Sequence, residues 1–316
     1  MAFIEKENKN LKHYRQKRIF TASARAAMHF ILQSRMHSDP RGILLPSYIG
    51  LSKIEGSGVF DPVRTSAMPY DFYHLDQYLR PDMEALEEQL RSDNFQLVFL
   101  IHYFGVPQVS VEQFVTLCHR YGVHVIEDCA HTLLGGLEGR RLGTYGDYAI
   151  FSIHKSTSCL DGGFLLDHTG SLDSAKMPAH LRIAPATLTE FANTDIESAS
   201  RQRLRNYHTV TEWLKSLPQL KPLFEKIPTG SVPLNYPIIV SQGKRKLLYH
   251  KLIESAIFPT ALYHTLIEQI TPQRFASSHF VSANILNLPT HADIQQDDLE
   301  RYEQVLRKVT NEVFSI

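Results

Sequence analysis

Cysteine is scarce in this 316-residue sequence, and apolar runs of membrane-spanning length are missing from it. The three cysteines, Cys118, Cys129 and Cys159, are an odd number without CxxC spacing, which argues against a disulfide scaffold and favours a reducing cytoplasm. No run reaches the roughly 18 apolar residues that a membrane span requires, and the basic N-terminal segment has no apolar signal core. We therefore predict a soluble, cytoplasmic protein without a membrane partner.

An excess of charge of either sign is also missing, because 33 Lys and Arg residues balance 33 Asp and Glu residues. Because the formal net charge is zero, the composition does not predict electrostatic attraction to nucleic acid. The sequence contains no internal repeat and no low-complexity tract. With 43% hydrophobic residues, a chain of this length can bury a substantial core, as one large domain with a smaller appendage or as two domains.

Several catalytic motifs are absent as well. No HExxH or paired-cysteine pattern is present, and the histidines have no metal-ligand spacing, so we predict no metal site. A G-x-S-x-G elbow is missing, which disfavours a serine hydrolase. The glycines of EGSGVFDP lack the strand–turn–helix context of a phosphate loop.

Strand and helix patterns alternate along the first half of the chain. Short apolar runs at 42–46, 71–75, 97–101, 123–128 and 148–153 read as strands, and 81–90 and 109–122 read as helices. This alternation predicts an α/β fold with a mostly parallel sheet. Later segments mix helices with the strand-like runs VPLNYPIIV and HFVSANILNLP. We predict a large domain over residues 1–180 and a smaller α+β domain over residues 181–316, with the N-terminal arm packing on the small domain.

Chemically reactive residues follow several of the predicted strands. Pro46, His102, Asp128 and Lys155 each lie at or just beyond the end of an apolar run. Parallel α/β sheets bind ligands at the carboxyl ends of their strands. We therefore expect a ligand site that contains Asp128 and Lys155.

Pyridoxal 5′-phosphate needs a lysine, a carboxylate at its pyridinium nitrogen, a ring sandwich and a phosphate cradle. Lys155 can form the Schiff base, Asp128 can hold the pyridinium, and His131 can contact the phenolic oxygen or cover the ring. Each residue also has a structural alternative: Asp128 as a helix cap, Lys155 as a surface lysine, and His131 as a packed histidine.

The phosphate and the ring have candidates elsewhere in the chain. Ser23, Ala24 and Arg25 open a predicted helix, whose free N–H groups and dipole can hold a phosphate, and Ser152 lies close to Lys155 in sequence. Tyr48 follows the strand at 42–46 and can stack on a flat cofactor. An ordinary capped helix at Ser23 and a packed Tyr48 are the alternatives.

The segment from Leu97 to Leu166 resembles the core of the DegT/DnrJ/EryC1/StrS family. That core typically reads H-x-Y-G-x-P, a helix, V-I-E-D-A-A-Q/H, and G-R-x-x-G-x-x-G-D-x-x-x-F-S-F-H. The matching residues are His102, Gly105, Pro107, Glu127, Asp128, Ala130, His131, Gly143, Gly146, Asp147, Phe151, Ser152 and His154.

The resemblance implies a fold-type I, pyridoxal-phosphate-dependent aminotransferase with catalytic Lys155 and Asp128. It also implies a cofactor site of Ser23, Ala24, Arg25, Tyr48, Asp128, His131, Ser152 and Lys155. The implied substrates are a keto sugar, commonly nucleotide-linked, and an amino-acid donor. A homodimer and a role in surface-polysaccharide or secondary-metabolite sugar biosynthesis are implied too.

The sequence departs from the family where the Schiff-base lysine is expected. In most members that lysine lies five residues after the serine of F-S-F-H, where this chain has Thr157. The following segment is two residues shorter, and Lys155 is the only lysine nearby. We predict that Lys155 takes over the role. The alternatives are a dehydratase or lyase that uses the same cofactor, and a catalytically silent paralogue that binds a ligand.

Overall fold

The computed structural model describes residues 18–315, so most of the predicted N-terminal arm lies outside the described residues. The helices are α1 (Ala24–Met36), α2 (Phe60–Ser66), α3 (Met83–Leu90), α4 (Val111–Arg120), α5 (Pro185–Asn193), α6 (Ile196–Leu214), α7 (Arg245–Glu254), α8 (Ala276–Asn284) and α9 (Gln296–Phe314). The strands are β1 (Arg18–Thr21), β2 (Gly42–Pro46), β3 (Tyr70–Tyr73), β4 (Phe95–Ile101), β5 (His124–Asp128), β6 (Gly136–Leu137), β7 (Arg140–Arg141), β8 (Tyr148–Ser152), β9 (Gly163–Asp167), β10 (Leu220–Pro222), β11 (Tyr236–Val240) and β12 (Ile285–Leu288).

A seven-stranded sheet in the order β1-β9-β8-β5-β4-β2-β3 lies in the N-terminal part of the chain. The strands from β8 to β3 are parallel, β9 is antiparallel to them, and the edge strand β1 pairs antiparallel with β9 and so runs in the same direction as the other strands. Every residue of β2, β4, β8 and β9 is buried, as expected for strands that are covered on both faces. The predicted mostly parallel α/β fold is therefore confirmed, and β2, β4, β5 and β8 end at one edge of the sheet.

Helix α4 illustrates how the sequence forms one of the covering layers. Its buried residues Val111, Phe114, Val115 and Cys118 recur at the i, i+3, i+4 and i+7 spacing of one helix face. Basic residues stand in its last turn, where they interact favourably with the helix dipole. Helix α4 connects β4 to β5 in the chain and packs against β5.

A smaller antiparallel sheet, β10-β11-β12, lies in the C-terminal part of the chain. It shares a separate hydrophobic cluster with residues of α6, α7 and α9. The predicted domain boundary at residues 180/181 stays a prediction. No helix within residues 18–315 has both the length and the apolar character needed to cross a bilayer.

The strand prediction for HFVSANILNLP is wrong in its first half. Residues 279–284 belong to α8, and only Ile285–Leu288 form a strand, β12. The buried residues of α8, Ser278, Val281 and Ser282, follow helical spacing. The apolar residues of HFV suggested a strand because Ser278 and Ser282, which lie on the buried face of the helix, are not hydrophobic and so do not reveal the helical spacing.

Candidate active site

Asp128 ends strand β5 and is buried, and its carboxylate accepts one hydrogen bond within residues 18–315. Its Oδ1 accepts the N–H of Ala130 at 2.8 Å. Burial raises the pKa of Asp128, and the Ala130 N–H and the nearby charges of Lys155 and His102 only partly oppose this effect. A carboxylate so poorly compensated favours a cationic ligand, because that ligand would stabilise its charged form.

Glu127, the preceding residue, has the opposite environment. Oε1 accepts the N–H groups of Tyr145 and Gly146, both at 2.7 Å, while Oε2 accepts the N–H of Gly143 at 2.9 Å and bonds His102 Nε2 at 3.0 Å. Burial alone would raise the pKa of Glu127, but these bonds outweigh it and lower the pKa. Glu127 is therefore a charged anchor for the loop from 143 to 146.

His102, Glu127 and Cys129 could place metal-binding atoms within 4.8 Å of one another. The hydrogen bonds of Glu127 already account for both of its oxygens. Burial raises the pKa of the Cys129 thiol well above its ordinary value, and the charges of Glu127 and Asp128 raise it further. A protonated thiol and a fully bonded carboxylate are poor metal ligands, so the hydrogen bonds explain this cluster.

Lys155 lies in a tight turn just beyond β8. The N–H groups of Ser156 and Thr157 both donate to the carbonyl of Ile153, at 3.1 Å. The Thr157 hydroxyl donates to the same carbonyl at 2.9 Å, so the residue at the position of the family lysine serves to close the turn. Lys155 instead lines a cleft of about 290 Å³, whose other residues are described below.

The electrostatic surroundings of Lys155 lower the pKa of its amine. Burial is the largest cause, and the positive charge of Arg25 acts in the same direction. The carboxylates of Asp128 and Glu55 raise the pKa without fully reversing the shift. A lowered pKa leaves a larger share of the amine unprotonated near neutral pH, which a lysine nucleophile requires.

His131 is buried against aromatic rings beside the same cleft. Its Nδ1 accepts the N–H of Phe104 at 3.1 Å, which places the ring proton of the neutral form on Nε2. Burial, followed by the charge of Lys155, holds the pKa of His131 well below its ordinary value. The His131 ring stacks on Phe104 with centroids 6.1 Å apart and lies 6.0 Å from Tyr263. His131 is thus a neutral donor fixed in orientation.

The start of α1 provides a possible phosphate cradle. Ser23 is the N-cap: its Oγ accepts the N–H of Ala26 at 3.1 Å, and its carbonyl accepts that of Ala27 at 3.0 Å. The N–H groups of Ala24 and Arg25 precede the first intrahelical bonds, so they are open donors at the positive end of the helix dipole. No acidic residue occupies this first turn.

Gly163 brings β9 against the start of α1. A Cβ atom at Gly163 would lie 2.6 Å from the backbone nitrogen of Ala24 and 2.6 Å from the carbonyl oxygen of Phe151. Gly163 is also the register partner of Ser152 in β8. This close backbone approach keeps Ser152 near the helix start, as a shared phosphate site would require.

The remaining predicted residues have other contacts. The Arg25 guanidinium donates to the carbonyl of Glu55 at 2.7 Å, and Ser152 Oγ lies 3.2 Å from His154 Nδ1. Tyr48 is fully buried and packs edge-on against Tyr103 and Tyr263. A contact of Tyr48 with the cofactor ring stays a prediction.

A cleft of about 290 Å³ lies between Lys155 and His131 and the segments around strands β11 and β12. Sequence reasoning did not assign residues of these later segments to the site. The sequence signals for them were the asparagines of LNYP and LNLPT, of which Asn235 precedes β11 and Asn287 lies within β12. The lining residues are His131, Lys155, Leu234, Asn235, Phe258, Thr260, Leu262, Asn287, Pro289, Thr290 and His291.

Comparison with protein families confirms the resemblance read from the motifs. Residues 63–177 match the model of the DegT/DnrJ/EryC1/StrS aminotransferase family. The match spans strands β3 to β9 and includes Asp128, His131, Ser152 and Lys155. It supports the prediction of a pyridoxal-phosphate-dependent enzyme.

Solved structures share the fold over nearly the whole chain. The aminotransferase TlmJ from Streptoalloteichus hindustanus is 17% identical with a TM-score of 0.80, covering 94% of this chain and 86% of its own. PseC from Helicobacter pylori, an aminotransferase involved in the biosynthesis of pseudoaminic acid, is 17% identical with a TM-score of 0.78, at 96% and 89% coverage. A structure described as the sugar aminotransferase Spr1654 from Streptococcus pneumoniae, in its PMP form, is 13% identical with a TM-score of 0.84, at 98% and 90% coverage. At these identities the similarity establishes the fold.

Proposed function

We propose that this chain, whose core matches the DegT/DnrJ/EryC1/StrS aminotransferase family, is a pyridoxal-phosphate-dependent aminotransferase that acts on a keto sugar. One observation carries the proposal. The Lys155 amine lines the same cleft as His131, and its charge acts on the buried Asp128 carboxylate. Lys155, Asp128 and His131 are the candidates for the Schiff base, the contact to the pyridinium nitrogen and the contact to the phenolic oxygen or the ring face.

The residues fit the cofactor by their chemistry. When bound, pyridoxal phosphate supplies a carbonyl for amines and a ring that takes up negative charge. Asp128 would hold the ring nitrogen, whose positive charge would in turn stabilise the poorly compensated carboxylate. His131 would donate from Nε2 to an oxygen on the ring. The first turn of α1 and the serines Ser23 and Ser152 would hold the phosphate.

Lys155 has two tasks in the proposed reaction. Its amine, with a lowered pKa, would hold the cofactor carbonyl and would be displaced from it by a substrate amine. The displaced amine would accept a proton from the substrate carbon and return it, acting as a general base and acid. Burial, followed by the charges of Asp128, Glu55 and Arg25, sets the pKa of the amine.

The proposed substrates rest on the family resemblance, and the proposed homodimer rests on exposed apolar side chains. We propose a nucleotide-linked keto sugar as acceptor and an amino acid as donor, which the resemblance implies. A homodimer is supported by two apolar side chains, Ile54 and Leu160, with 95% and 96% of their surfaces exposed. Both lie in loops that reach the site region, since Ile54 precedes Glu55 and Leu160 follows the turn of Lys155. No feature of the described site specifically favours a dehydratase or lyase.

The test is to purify the protein with pyridoxal phosphate, record its visible spectrum, and map the lysine that becomes labelled on borohydride reduction. We expect a single adduct on Lys155 and bleaching of the band by an amino-acid donor. A labelled lysine elsewhere would overturn the role of Lys155. A protein that takes up the cofactor but reacts with neither amino acids nor amino sugars would overturn the aminotransferase itself.

A further inference from the structure

We propose that Thr290 is a specificity-determining residue that binds a hydroxyl group of the acceptor sugar. The proposal deepens the proposed function and rests on it. Thr290 lines the same cleft as Lys155 and His131, in the segment that follows strand β12. A substrate that reaches the Lys155 amine with one end can therefore extend its other end toward Thr290.

The wall that contains Thr290 is held rigidly by Asn287. The Asn287 backbone exchanges hydrogen bonds with Thr260, N–H to carbonyl in both directions, at 2.7 and 3.0 Å. Its side-chain Oδ1 accepts the N–H of Leu262 at 3.0 Å, and its Nδ2 donates to Asn235 Oδ1 at 3.3 Å. Asn287 thus ties three segments together and acts as a positioning residue. A fixed wall can discriminate between substrates, because it does not adapt to a poor one.

The amide of Asn235 leaves a donor on this wall. Leu262 N–H needs an acceptor, which fixes the orientation of the Asn287 amide and makes Asn235 Oδ1 an acceptor in turn. The Nδ2 of Asn235 donates to no residue that the structure describes. Asn235 lines the cleft, so this N–H₂ group remains for a ligand oxygen.

Thr290 provides the independent observation. Its side chain is 99% buried, and within residues 18–315 its Oγ1 has no hydrogen-bond partner. Buried polar groups in proteins are nearly always hydrogen-bonded, and Thr290, unlike the equally unpartnered Thr310, lines the cleft, where a substrate hydroxyl can be the partner. A hydroxyl both donates and accepts, which suits a sugar hydroxyl in either direction.

The charge of the wall narrows the ligand class further. Asn235, Thr260, Asn287 and Thr290 are all neutral, and Lys155 is the sole lysine or arginine among the described residues that line the cleft. His291 also lines the cleft, and its Nδ1 lies 3.3 Å from the carboxylate of Asp293, which offsets a positive charge on the ring. A phosphate or a carboxylate would call for arginine or lysine at this wall. The part of the substrate that contacts Thr290 is therefore neutral and hydroxylated, as the ring of a hexose is.

The decisive variant is Thr290→Val, which removes the hydroxyl and keeps the shape. Thr290→Ser keeps the hydroxyl and is the rescue variant. Thr310→Val is the matched control, because Thr310 is also fully buried with an unpartnered Oγ1 but lies on α9, away from the cleft lining. Because an unpartnered hydroxyl contributes nothing to folding, both valine variants should melt at or above the wild-type temperature.

The probes are hexosamines with the amine at carbon 2, 3 or 4, each free and as a nucleoside diphosphate conjugate, reacted in reverse with the pyridoxal-phosphate form. For the best probe we expect Thr290→Val to raise the half-saturating concentration about tenfold. Thr290→Ser and Thr310→Val should stay within about twofold of the wild type. The reaction with L-glutamate, which has no hydroxyl group, should be unchanged in every variant.

Three results would overturn the inference in distinguishable ways. Unchanged half-saturation of Thr290→Val by a hexosamine that reacts with the wild type would remove the role of Thr290 and leave the proposed function intact. A wild type that reacts with L-glutamate but with no hexosamine would remove the sugar substrate, and the role of Thr290 with it. An equal loss in Thr310→Val would show a general packing effect and also refute the proposal.

Discussion

Glu127 and Asp128 are consecutive carboxylates at the end of one strand, and both are buried, yet their surroundings differ completely. The Glu127 side is closed, because three backbone N–H groups and His102 bond its two oxygens. The Asp128 side is open, because one N–H group of the described residues bonds its carboxylate and only the nearby charges of Lys155 and His102 add to this. The pKa of Glu127 is lowered and that of Asp128 is raised, although burial pushes both upward. The two carboxylates therefore differ in their number of hydrogen bonds and not in their depth of burial. Glu127 stabilises the fold, whereas Asp128 can still bind a ligand.

The largest effect on turnover is expected from replacing Lys155, whose charge acts on the open carboxylate of Asp128. Lys155→Ala should lower turnover by about 10³-fold or more, since it removes the nucleophile and the general base together. Thr157→Lys in the same chain restores a lysine at the usual family position. We expect no rescue, because residue 157 closes the turn and does not line the cleft. Single-turnover kinetics with an amino-acid donor measure both variants, and full recovery in the double variant would contradict the assignment.

Asp128→Asn tests the open side directly. We expect turnover to fall on the order of 100-fold, because a neutral amide cannot stabilise positive charge on the cofactor ring. The apo protein should remain folded and be at least as stable as the wild type near neutral pH, since the substitution removes a poorly compensated buried charge. Circular dichroism and thermal melting of the apo form provide the control. Unchanged turnover would refute the proposed role of Asp128.

Glu127→Gln tests the closed side and should act mainly on stability. We expect a loss of about 3 kcal/mol in the free energy of unfolding, because a charged acceptor of several buried hydrogen bonds becomes neutral and one amide hydrogen faces an N–H donor. Urea denaturation of the apo protein measures this loss. If Glu127→Gln were as stable as the wild type while Asp128→Asn unfolded, the contrast between the two sides would be reversed.

The pH dependence of stability should have opposite signs on the two sides. The contribution of Glu127, whose pKa is lowered, is present above its ordinary value of 4.5 and is lost as the pH falls through the folded-state pKa. Asp128 has a raised pKa, so its protonated form favours the fold, and stability declines as the pH rises from its ordinary value of 3.8 toward the folded-state pKa. Denaturation of wild-type and variant apo proteins across this range would resolve both slopes, and equal signs would contradict the comparison.

Asp147 extends the comparison to a partly exposed carboxylate. His119 Nε2 lies 2.8 Å from Oδ2, which also accepts the N–H of Val125 at 2.8 Å, and His124 Nδ1 lies 2.9 Å from Oδ1. These contacts overcome burial and lower the pKa of Asp147 to about 2. Asp147→Asn should therefore reduce stability by about 2 kcal/mol at neutral pH. The difference from the wild type should shrink as the pH falls from about 4 to about 2, and a difference independent of pH would contradict this account.

The sequence by itself determined the parallel sheet and the placement of Asp128, His131 and Lys155 near its ligand-binding edge. Strand runs and helix periodicity are local signals, and the carboxyl ends of parallel strands meet at one edge by geometry. The shift of the lysine by two positions was also visible in the sequence. The helix at residues 279–284 was missed because small buried serines conceal its apolar face.

Only the tertiary structure decided which carboxylate is closed and which is open. Four groups from His102 and the 143–146 loop converge on Glu127, and no local pattern specifies that convergence. It likewise buried Tyr48 and brought Asn235, Asn287 and Thr290 into the same cleft as Lys155. Residue types and strand order are encoded along the chain, whereas the number of partners around each buried group depends on contacts between segments far apart in sequence.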